Sequence, residues 1–280
     1  MCALPLVAGA QSSGLDPFQS TWARTDKPVN DGVIVRTWMW GLQTDAYPTV
    51  EPYVEGVEGE RHVVYFDKSR MEITDPSEDQ TDPWFVTNGL LVVELVSGEM
   101  QVGDEAFETR SPAHVNVAGD VGDPHGPTYA TFSGLMAPYS GSQPTTLSQT
   151  VDRAGNVSTD SRFTAYDVGT ARWVDETQHW VAAPFWEFMN SEGIIWIEGD
   201  LAVDDLFPDP FYATGFPITE AYWTRVLLKD IPTDVLVQCF ERRCLTYTPD
   251  NPAGWKVEAG NVGLHYYIWR YGEAPPKTVG

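Results

Sequence analysis

The sequence contains no long hydrophobic run and few basic residues. No apolar stretch reaches the roughly eighteen residues that a membrane-spanning helix needs, so we expect no transmembrane segment. Seventeen Lys and Arg stand against forty Asp and Glu, and the formal net charge is −23. Such a balance repels nucleic-acid phosphates and anionic lipid surfaces. Nucleic acid is therefore not expected as a partner.

Familiar catalytic motifs are also absent. The sequence has no H-x-x-x-H, G-x-S-x-G, phosphate-binding or dinucleotide-binding glycine pattern, and no cofactor is expected. The loop AGDVGDPHGPTY places Asp120, Asp123 and His125 close together, but it lacks the spacing of a calcium-binding EF-hand loop. An Asx-type turn is the favoured interpretation. These three residues are the only weak metal candidates, and no metal site is predicted.

Cysteine is rare, with three residues and no C-x-x-C pair to suggest zinc. Cys239 and Cys244 flank the segment FERR. In one continuous strand, residues five apart point to opposite faces and lie about 16 Å from each other, beyond disulfide reach. A turn between them would be required for a bond. We expect free, buried thiols at both positions.

The amino-terminal stretch MCALPLVAGAQSSG holds a short apolar run that ends in Ala8-Gly9-Ala10. This small-x-small pattern is typical of a signal-peptidase site, although no basic segment precedes it. We interpret residues 1–15 as a signal-peptide remnant or a disordered terminus; a chance hydrophobic terminus is the alternative. The first interpretation predicts an exported protein, extracellular or at the cell surface.

Aromatic residues, by contrast, are abundant. Twelve Tyr, twelve Phe and eleven Trp, with 42% hydrophobic residues overall, exclude an intrinsically disordered chain. A length of 280 residues suits one large domain or two small ones.

The order of several short blocks is repeated along the chain. WGLQTDAYPTVEPY, YFDKSRMEI and FVTNGLL in the first half correspond to ATGFPITEAYW, CFERRCLTY and KVEAGNVG in the second. The matched residues are separated by 169, 174 and 171 positions in the three blocks. The matches pair Glu51 with Glu220, Tyr53 with Tyr222, Phe66 with Phe240, Asp67 with Glu241, Lys68 with Arg242, Val86 with Val257 and Gly89 with Gly260. We interpret them as an internal duplication; the alternative is convergent hairpin composition.

Local patterns predict a mainly β, α+β fold with a few short helices, built from two related antiparallel β-rich units. The alternating segment 61–104 predicts a small antiparallel sheet, and GLHYYIWRY predicts an aromatic strand. APFWEFMNSEG predicts a short helix that begins after Pro184 and stops at Gly193, and PITEAYWTRVLL a helical turn that enters a strand. The units are assigned to 16–138 and 163–272, with a linker or long loop at 139–162 and a tail at 273–280.

These residues resemble a known family. The segments DETQHWVAAPFWEF, ATGFPITEAYW and VLVQCFERRCLTY resemble an uncharacterised extracellular repeat of Chloroflexi-type bacteria, which has a G-x-P-x-x-E turn and an FERARFEY-like strand. The likeness covers about 18–104 and 173–272, and the G-F-P-x-x-E core is loosely similar to the LGFP repeats of cell-wall proteins. It implies association with an envelope or glycan, by analogy alone. Gln178, Cys244 and Thr246 depart from the family pattern, whereas Arg70 and Glu72 keep its Arg/Glu pair.

Acidic residues recur at the repeated turns and hairpins. Glu51 with Asp67, or Glu220 with Glu241, can be read as the two carboxyl groups of a glycoside hydrolase, which lie about 5 to 9.5 Å apart. The favoured interpretation is ion pairing with nearby bases, because a structural brace is repeated more readily than an active site. Trp38 and Trp40 would share one face of a strand and could stack on a sugar, although a core role is favoured. The candidate binding residues are Trp38, Trp40, Glu51, Tyr53, Asp67, Arg70, Glu72, Glu220, Tyr222, Trp223, Glu241 and Arg242.

Three classes of function remain open. A secreted or cell-surface, non-catalytic module that binds cell-wall glycan or another envelope component accounts for the repetition, the acidity and the aromatic content. A self-assembling extracellular protein would use exposed strand edges. A glycan-active hydrolase would use the carboxylates and leave the repetition unexplained. We prefer the first class, and no residue is assigned a catalytic role.

Overall fold

The computed structural model describes residues 16–276. The predicted signal remnant at 1–15 and the end of the predicted tail lie outside these residues. Strands outnumber helices and form several small sheets, so the predicted β-rich α+β class is confirmed. No helix in the described part of the chain is long and apolar enough to cross a membrane.

The first half contains two helices and six strands. They are α1 (Pro17–Asn30), β1 (Tyr47–Pro52), β2 (Glu60–Phe66), β3 (Ser69–Ile73), β4 (Thr87–Asn88), α2 (Leu91–Ser97), β5 (Glu99–Gln101) and β6 (Phe107–Thr109). The strands β1 to β4 form one antiparallel sheet in chain order, and β5 pairs with β6.

The second half contains ten strands and two helices. They are β7 (Gln149–Val151), β8 (Val157–Thr159), β9 (Thr170–Val174), β10 (His179–Ala182), α3 (Ala183–Met189), β11 (Glu192–Ile197), β12 (Asp200–Asp205), β13 (Tyr222–Leu228), β14 (Ile231–Cys239), β15 (Cys244–Tyr247), β16 (Val257–Ala259) and α4 (Val262–Tyr271). The largest sheet has the order β16-β15-β14-β13-β7-β8, while β9–β10 and β11–β12 are separate hairpins. Two of its strands, β7 and β8, lie inside the segment 139–162.

The same unit occurs twice in this fold. An antiparallel meander of four strands leads into a helix, first as β1 to β4 with α2 and again as β13 to β16 with α4. The pairing registers agree residue by residue. Val63 lies opposite Glu72 in β2–β3, and Val237 lies opposite Thr246 in β14–β15, so both strands keep an offset of 174. The fourth strands keep an offset of 171.

The first strands have a different offset from the one in the sequence alignment. Glu51 lies opposite Arg61 in the first sheet. Val235, the counterpart of Arg61, lies opposite Thr224 in the second sheet. The offset is therefore 173, where the sequence match gives 169. Glu220 precedes β13 and is not the structural counterpart of Glu51.

Each unit places its helix against the hairpin corner of the other unit. The carbonyl oxygen of Asp67, in the β2–β3 corner, accepts hydrogen bonds from the amides of Gly263 and the next residue at the start of α4, at 2.9 and 3.2 Å. The carbonyl oxygen of Glu241, in the β14–β15 corner, accepts bonds from Val92 and the next residue of α2, both at 3.1 Å. These contacts satisfy helix amides that have no partner within their own helix. The two units are thus joined by a reciprocal exchange of helices, in which the hairpin corner of each unit binds the helix of the other.

The helices α2 and α4 replace two predicted strands. Both segments are rich in β-branched or aromatic residues, which favour strands in isolation. In α4, however, the buried residues Val262, Tyr266 and Arg270 follow a spacing of four, as one face of a helix requires. The first amides of α2 and α4 bond to the hairpin corner of the other unit. A local sequence pattern does not reveal such a tertiary contact. The strand predictions for these segments were wrong.

The helix prediction at APFWEFM is confirmed by α3, although that helix ends at Met189 and Gly193 already belongs to β11. PITEAYWTRVLL contains no helical turn, because its first residues form a loop and the rest is β13. Antiparallel pairing with β14 along Tyr222–Leu228 makes this segment a strand.

Cys239 and Cys244 form a disulfide, so the expectation of free thiols was wrong. The segment FERR forms the hairpin corner, and the two cysteines lie directly opposite each other across β14–β15 with their Cα atoms 4.0 Å apart. The turn supplies the proximity that a continuous strand cannot provide. Their first-unit counterparts are Tyr65 and Arg70, which also face each other.

One apolar core is shared by the two units. It includes Tyr65 of β2, Leu95 of α2, Val237 of β14 and Tyr266 of α4, all at most 1% exposed. Two further clusters pack α1 against the first sheet and α3 against the second. The two helices α2 and α4 therefore lie at the centre of the molecule, where the two units meet.

Candidate functional site

A cluster of charged side chains is buried where α4 crosses the first sheet. We call it the ion cluster, and it consists of Glu51, Arg61, Arg70, Glu72, Glu94 and Arg270. Three guanidinium groups face three carboxyl groups, and none of these side chains is more than 8% exposed. Buried charges of this kind persist only when they are paired.

Arg70 lies at the centre of the ion cluster. Its Nε and one terminal nitrogen contact Oε1 of Glu72 at 2.7 and 2.6 Å. The other terminal nitrogen lies 3.2 Å from Oε2 of Glu51, and Glu94 is 3.7 Å away. Since Glu72 shares β3 with Arg70 and Glu51 comes from β1, these contacts hold the first sheet together across its strands.

The remaining contacts extend the cluster to the second unit. Arg270 of α4 places its Nε 3.5 Å from Oε1 of Glu51. Tyr271 donates a hydrogen bond to the same oxygen at 2.9 Å, and Tyr266 donates one to Glu94. The carboxylates of the first unit therefore hold the helix of the second.

The cluster fixes the protonation of Glu51. Burial alone would raise the pKa of this carboxyl group, but Arg70 and Arg270 together lower the pKa to about 2. Glu94 behaves differently, because burial raises its pKa more than Arg70 and Tyr266 lower it. Glu51 thus remains ionised at neutral pH and cannot serve as a proton donor.

The predicted corner residues lie apart from the ion cluster and hold backbone. Lys68 donates from Nζ to the carbonyl of Ala259 at 3.1 Å. Glu241 accepts a bond from the amide of Phe216 at 3.0 Å, and Arg242 donates to the carbonyl of Tyr212 at 2.7 Å. Asp67 is half-buried, and burial followed by the nearby Asp45 raises its pKa.

The other acidic candidate of the second unit is also a structural contact. Glu220 accepts a bond from Nδ1 of His179 at 2.9 Å. Tyr222 belongs to the shared core, and burial raises its pKa to about 12. Trp223 is fully buried and donates from its indole nitrogen to the carbonyl of Leu147 at 2.9 Å. These three candidates do not converge on one site.

The aromatic candidates of the first unit are also structural. Trp40 is buried beneath the guanidinium group of Arg243, 5.0 Å from the ring centroid. Trp38 is half-buried and packs against the apolar cluster that lies between α1 and the first sheet. It lies in a loop and not in a strand. Tyr53 donates to Asp104 at 2.6 Å and packs its ring against Arg61. No pair of adjacent indoles faces solvent at these positions.

The loop with the weak metal candidates binds the β13–β14 turn. Asp120 accepts bonds from the amides of Lys229 and Asp230 at 2.9 and 2.8 Å. Asp123 accepts bonds from the amides of Leu227 and His125, both at 2.8 Å. Among residues 16–276, no group of three or more His, Cys, Asp or Glu side chains is placed to hold a metal ion.

An open groove on the surface contains groups that were not predicted from the sequence. We call it the Trp84 groove. It has a volume of about 600 Å³ and lies between α1, the loop 80–86 and the segment 204–212. Trp84 lies beside the groove and not among the residues that line it; its side chain is 43% exposed, and its ring packs 5.3 Å from that of Tyr212, which lines the groove. Asp82, Asp204 and Arg24 supply polar groups to its walls.

Partial signals for the residues that were missed are present in the sequence. Arg61 and Arg270 stand in the apolar runs RHVVYF and YYIWRY, and a base in such a run indicates a buried ion pair. Trp84 follows a proline in a polar loop, which indicates exposure.

Comparisons of this chain with protein-family models, with curated proteins and with solved structures found no match.

Proposed function

We propose that this chain is a secreted or cell-surface binding module that holds a cell-wall glycan or another envelope component without catalysis. We also propose that it is related to the extracellular repeat family that its sequence resembles. The observation that supports binding is the Trp84 groove. The carboxylates and the guanidinium group in its walls offer hydrogen-bonding groups for a sugar, and the exposed indole of Trp84 at its side offers a stacking surface.

The geometry of the carboxylates also supports this proposal over hydrolysis. Glu51 is ionised, fully buried and bound to arginines, while Asp67 belongs to a separate corner. Glu220 and Glu241 are each bound to their own structural partners. Neither pair has the arrangement of an acid and a nucleophile around a substrate cleft.

Self-assembly is the second candidate, and the hairpin β11–β12 favours it. Val203 on β12 is 75% exposed, and Leu201 on the same strand is 43% exposed. This sheet has two strands in the described part of the chain, so each of them is an edge strand that could pair with another chain. Assembly through such edges would give large particles in light scattering.

Retention on polysaccharide tests the binding proposal. Purified protein is mixed with isolated cell wall and with defined glycans, and the bound fraction is measured by sedimentation. We expect retention without release of reducing ends. Trp84→Ala should weaken it roughly two- to tenfold, the range that one aromatic contact contributes.

Trp173→Ala is the matched control, because Trp173 is a partly exposed indole of the β9–β10 hairpin, outside the Trp84 groove. This variant should be retained like the unmodified chain. Absence of retention on every glycan contradicts binding, and release of reducing ends contradicts the non-catalytic assignment. Equal loss in both Trp variants contradicts the assignment of the groove.

A further inference from the structure

The two units differ at the place where the first unit holds its ion cluster. The common offset of 174 makes Val235 the counterpart of Arg61 and Cys244 the counterpart of Arg70. Both guanidinium groups of the first sheet are therefore replaced by small side chains in the second. Close packing would require other groups to fill the volume that they leave.

Cys244 is packed in the shared apolar core, but the volume beside Val235 remains open. A cleft of about 360 Å³ lies on this face of the second sheet, between the loop 114–121, strands β13 to β16 and the start of α4. We call it the His265 cleft. Its volume falls within the range of about 300 to 1,000 Å³ that is typical of small-molecule sites. Val226 and Val235 give it an apolar wall, and Glu258 and His265 give it polar groups.

A carboxyl group is conserved in position between the two units even though its partner is lost. In the first sheet Glu72 lies opposite Thr87, and in the second Thr246 lies opposite Glu258. The acid lies on the third strand of the first sheet and on the fourth strand of the second, and the threonine lies opposite it each time. A carboxyl group is therefore present at the same strand pair in both sheets. Glu72 binds Arg61 at 3.0 Å, whereas Glu258 has no ion pair in the described part of the chain.

Among the described residues the carboxylate of Glu258 accepts one long hydrogen bond, from Nδ2 of Asn251 to Oε2 at 3.4 Å, and its other oxygen is available. Burial raises its pKa, and the nearby Lys68 lowers it. Lys68 donates instead to Ala259 and to Oδ1 of Asn261, at 3.1 and 2.8 Å. Arg153 at the rim is bound to the side chain of Asn116 and to two carbonyl groups. Both bases near the cleft are thus held by neutral oxygens.

His265 offers a second polar atom. Its Nδ1 lies 3.0 Å from the hydroxyl of Tyr129, and its other ring nitrogen has no hydrogen-bond partner among residues 16–276. Burial, followed by the charge of Lys68, lowers the pKa of His265 to about 4. The imidazole is therefore neutral at pH 7 and does not repel a cation.

We propose that the His265 cleft binds a small organic cation, of the guanidinium or alkylammonium class, whose charged group pairs with Glu258 and whose alkyl part packs on Val226 and Val235. The first unit supplies the template, because there a guanidinium group of the chain itself occupies the corresponding patch. The net charge of −23 further favours cations over anions near the protein. The site is separate from the Trp84 groove and independent of glycan binding.

The test uses ethylguanidinium and its neutral isostere N-ethylurea, each at millimolar concentration. Side-chain NMR signals of His265 report occupancy of the cleft. We expect saturable shifts with ethylguanidinium, with a dissociation constant below about 10 mM, and no saturable shift with N-ethylurea. Glu258→Gln should weaken binding roughly tenfold or more, as loss of a charge-assisted hydrogen bond implies. Glu60→Gln, an exposed acid on β2, is the matched control and should leave binding unchanged.

A second variant restores the side chain of the first unit. Val235→Arg should place a guanidinium group beside Glu258 and abolish the response to ethylguanidinium. If this variant does not fold, Glu258→Gln and the titration of the unmodified chain still decide the question. Equal binding of N-ethylurea, saturable binding of acetate or inorganic phosphate in place of the cation, or no saturable response to any probe would each overturn the proposal.

Discussion

Replacing Glu51 by Gln tests the role of the ion cluster directly. Glu51 is fully buried, and its carboxylate lies 3.2 Å from Arg70 and 3.5 Å from Arg270. Gln has the same shape without the charge. The substitution leaves Arg270 with no carboxylate within 4.0 Å among the described residues, and an unpaired buried charge is strongly destabilising.

The expected loss follows from the pKa of Glu51. Although burial raises this pKa, Arg70 and Arg270 lower it from 4.5 to about 2 in the folded protein. Each pKa unit corresponds to about 1.4 kcal/mol, so the ionised carboxylate contributes about 3 kcal/mol to the free energy of unfolding. Because the folded-state pKa is the lower one, this contribution is complete above pH 4.5 and is lost as the pH falls towards about 2.

Urea unfolding of the unmodified chain, Glu51→Gln and the exposed control Glu60→Gln measures this contribution. At pH 7 we expect Glu51→Gln to lose about 3 kcal/mol and the control to stay within about 0.5 kcal/mol. Between pH 4.5 and 2 the unmodified chain should lose more stability than Glu51→Gln. The reasoning is refuted if Glu51→Gln matches the unmodified chain at pH 7, or if both lose the same stability through the acid range.

Three further substitutions test single contacts of the fold, each by urea unfolding at pH 7. Gly263→Ala would place a Cβ atom 2.0 Å from the carbonyl oxygen of Phe66, so α4 must shift. We expect the free energy of unfolding to fall by about 1 to 3 kcal/mol or more. An unchanged unfolding midpoint would contradict the close approach. Replacing both Cys239 and Cys244 by Val removes a crosslink with a sequence separation of five. A loop this short predicts a loss of about 2 kcal/mol, and a gain in stability would contradict it. Asp26→Ala leaves three backbone amides without their acceptor and should cost more than about 3 kcal/mol; a loss below 1 kcal/mol would show that water replaces the carboxylate.

The repeated hairpins could be predicted from the sequence because their information is local. The corner residues Asp67 and Glu241 follow the same apolar run and the same Phe in both units. A turn between two alternating runs fixes the register of a hairpin, and the offset of 174 follows from that register. The match between Glu51 and Glu220 was wrong because the composition of a strand does not determine its register against the neighbouring strand.

The helices and the disulfide could not be predicted because their causes are not local. The segment of α4 has the residue types of a strand, but the carbonyl of Asp67 receives its first amides. That oxygen is almost two hundred positions away in the chain. Cys239 and Cys244 were judged on the geometry of a continuous strand, whereas the corner FERR folds them into opposition. Long-range contacts override local preference at both places.

Most of the candidate binding residues lie in contacts within the fold, and their partners were not predicted. Glu51 was expected to pair near its own corner, and it pairs with Arg70 and Arg270. Arg270 belongs to the helix of the other unit, so the sequence of one repeat alone could not predict this ion pair. Trp84 lies just before the block FVTNGLL and Glu258 lies within the block KVEAGNVG at an unmatched position, and neither was singled out. The residues that we propose for binding differ between the two units, so repetition could not point to them.

The reciprocal helix exchange and the asymmetry of the two units are connected. Since the corner of each unit receives the helix of the other, neither unit can lose its helix without exposing the shared core. One ion cluster, in the first unit, already binds α4 through Arg270. The second unit joins its own strands at the corresponding position with the bond between Cys239 and Cys244. A covalent crosslink does not need arginine side chains around it, and the cleft at Glu258 lies where Val235 stands in place of Arg61. In the division of roles that we propose, the first unit stabilises the assembly and the second offers a cleft for a ligand.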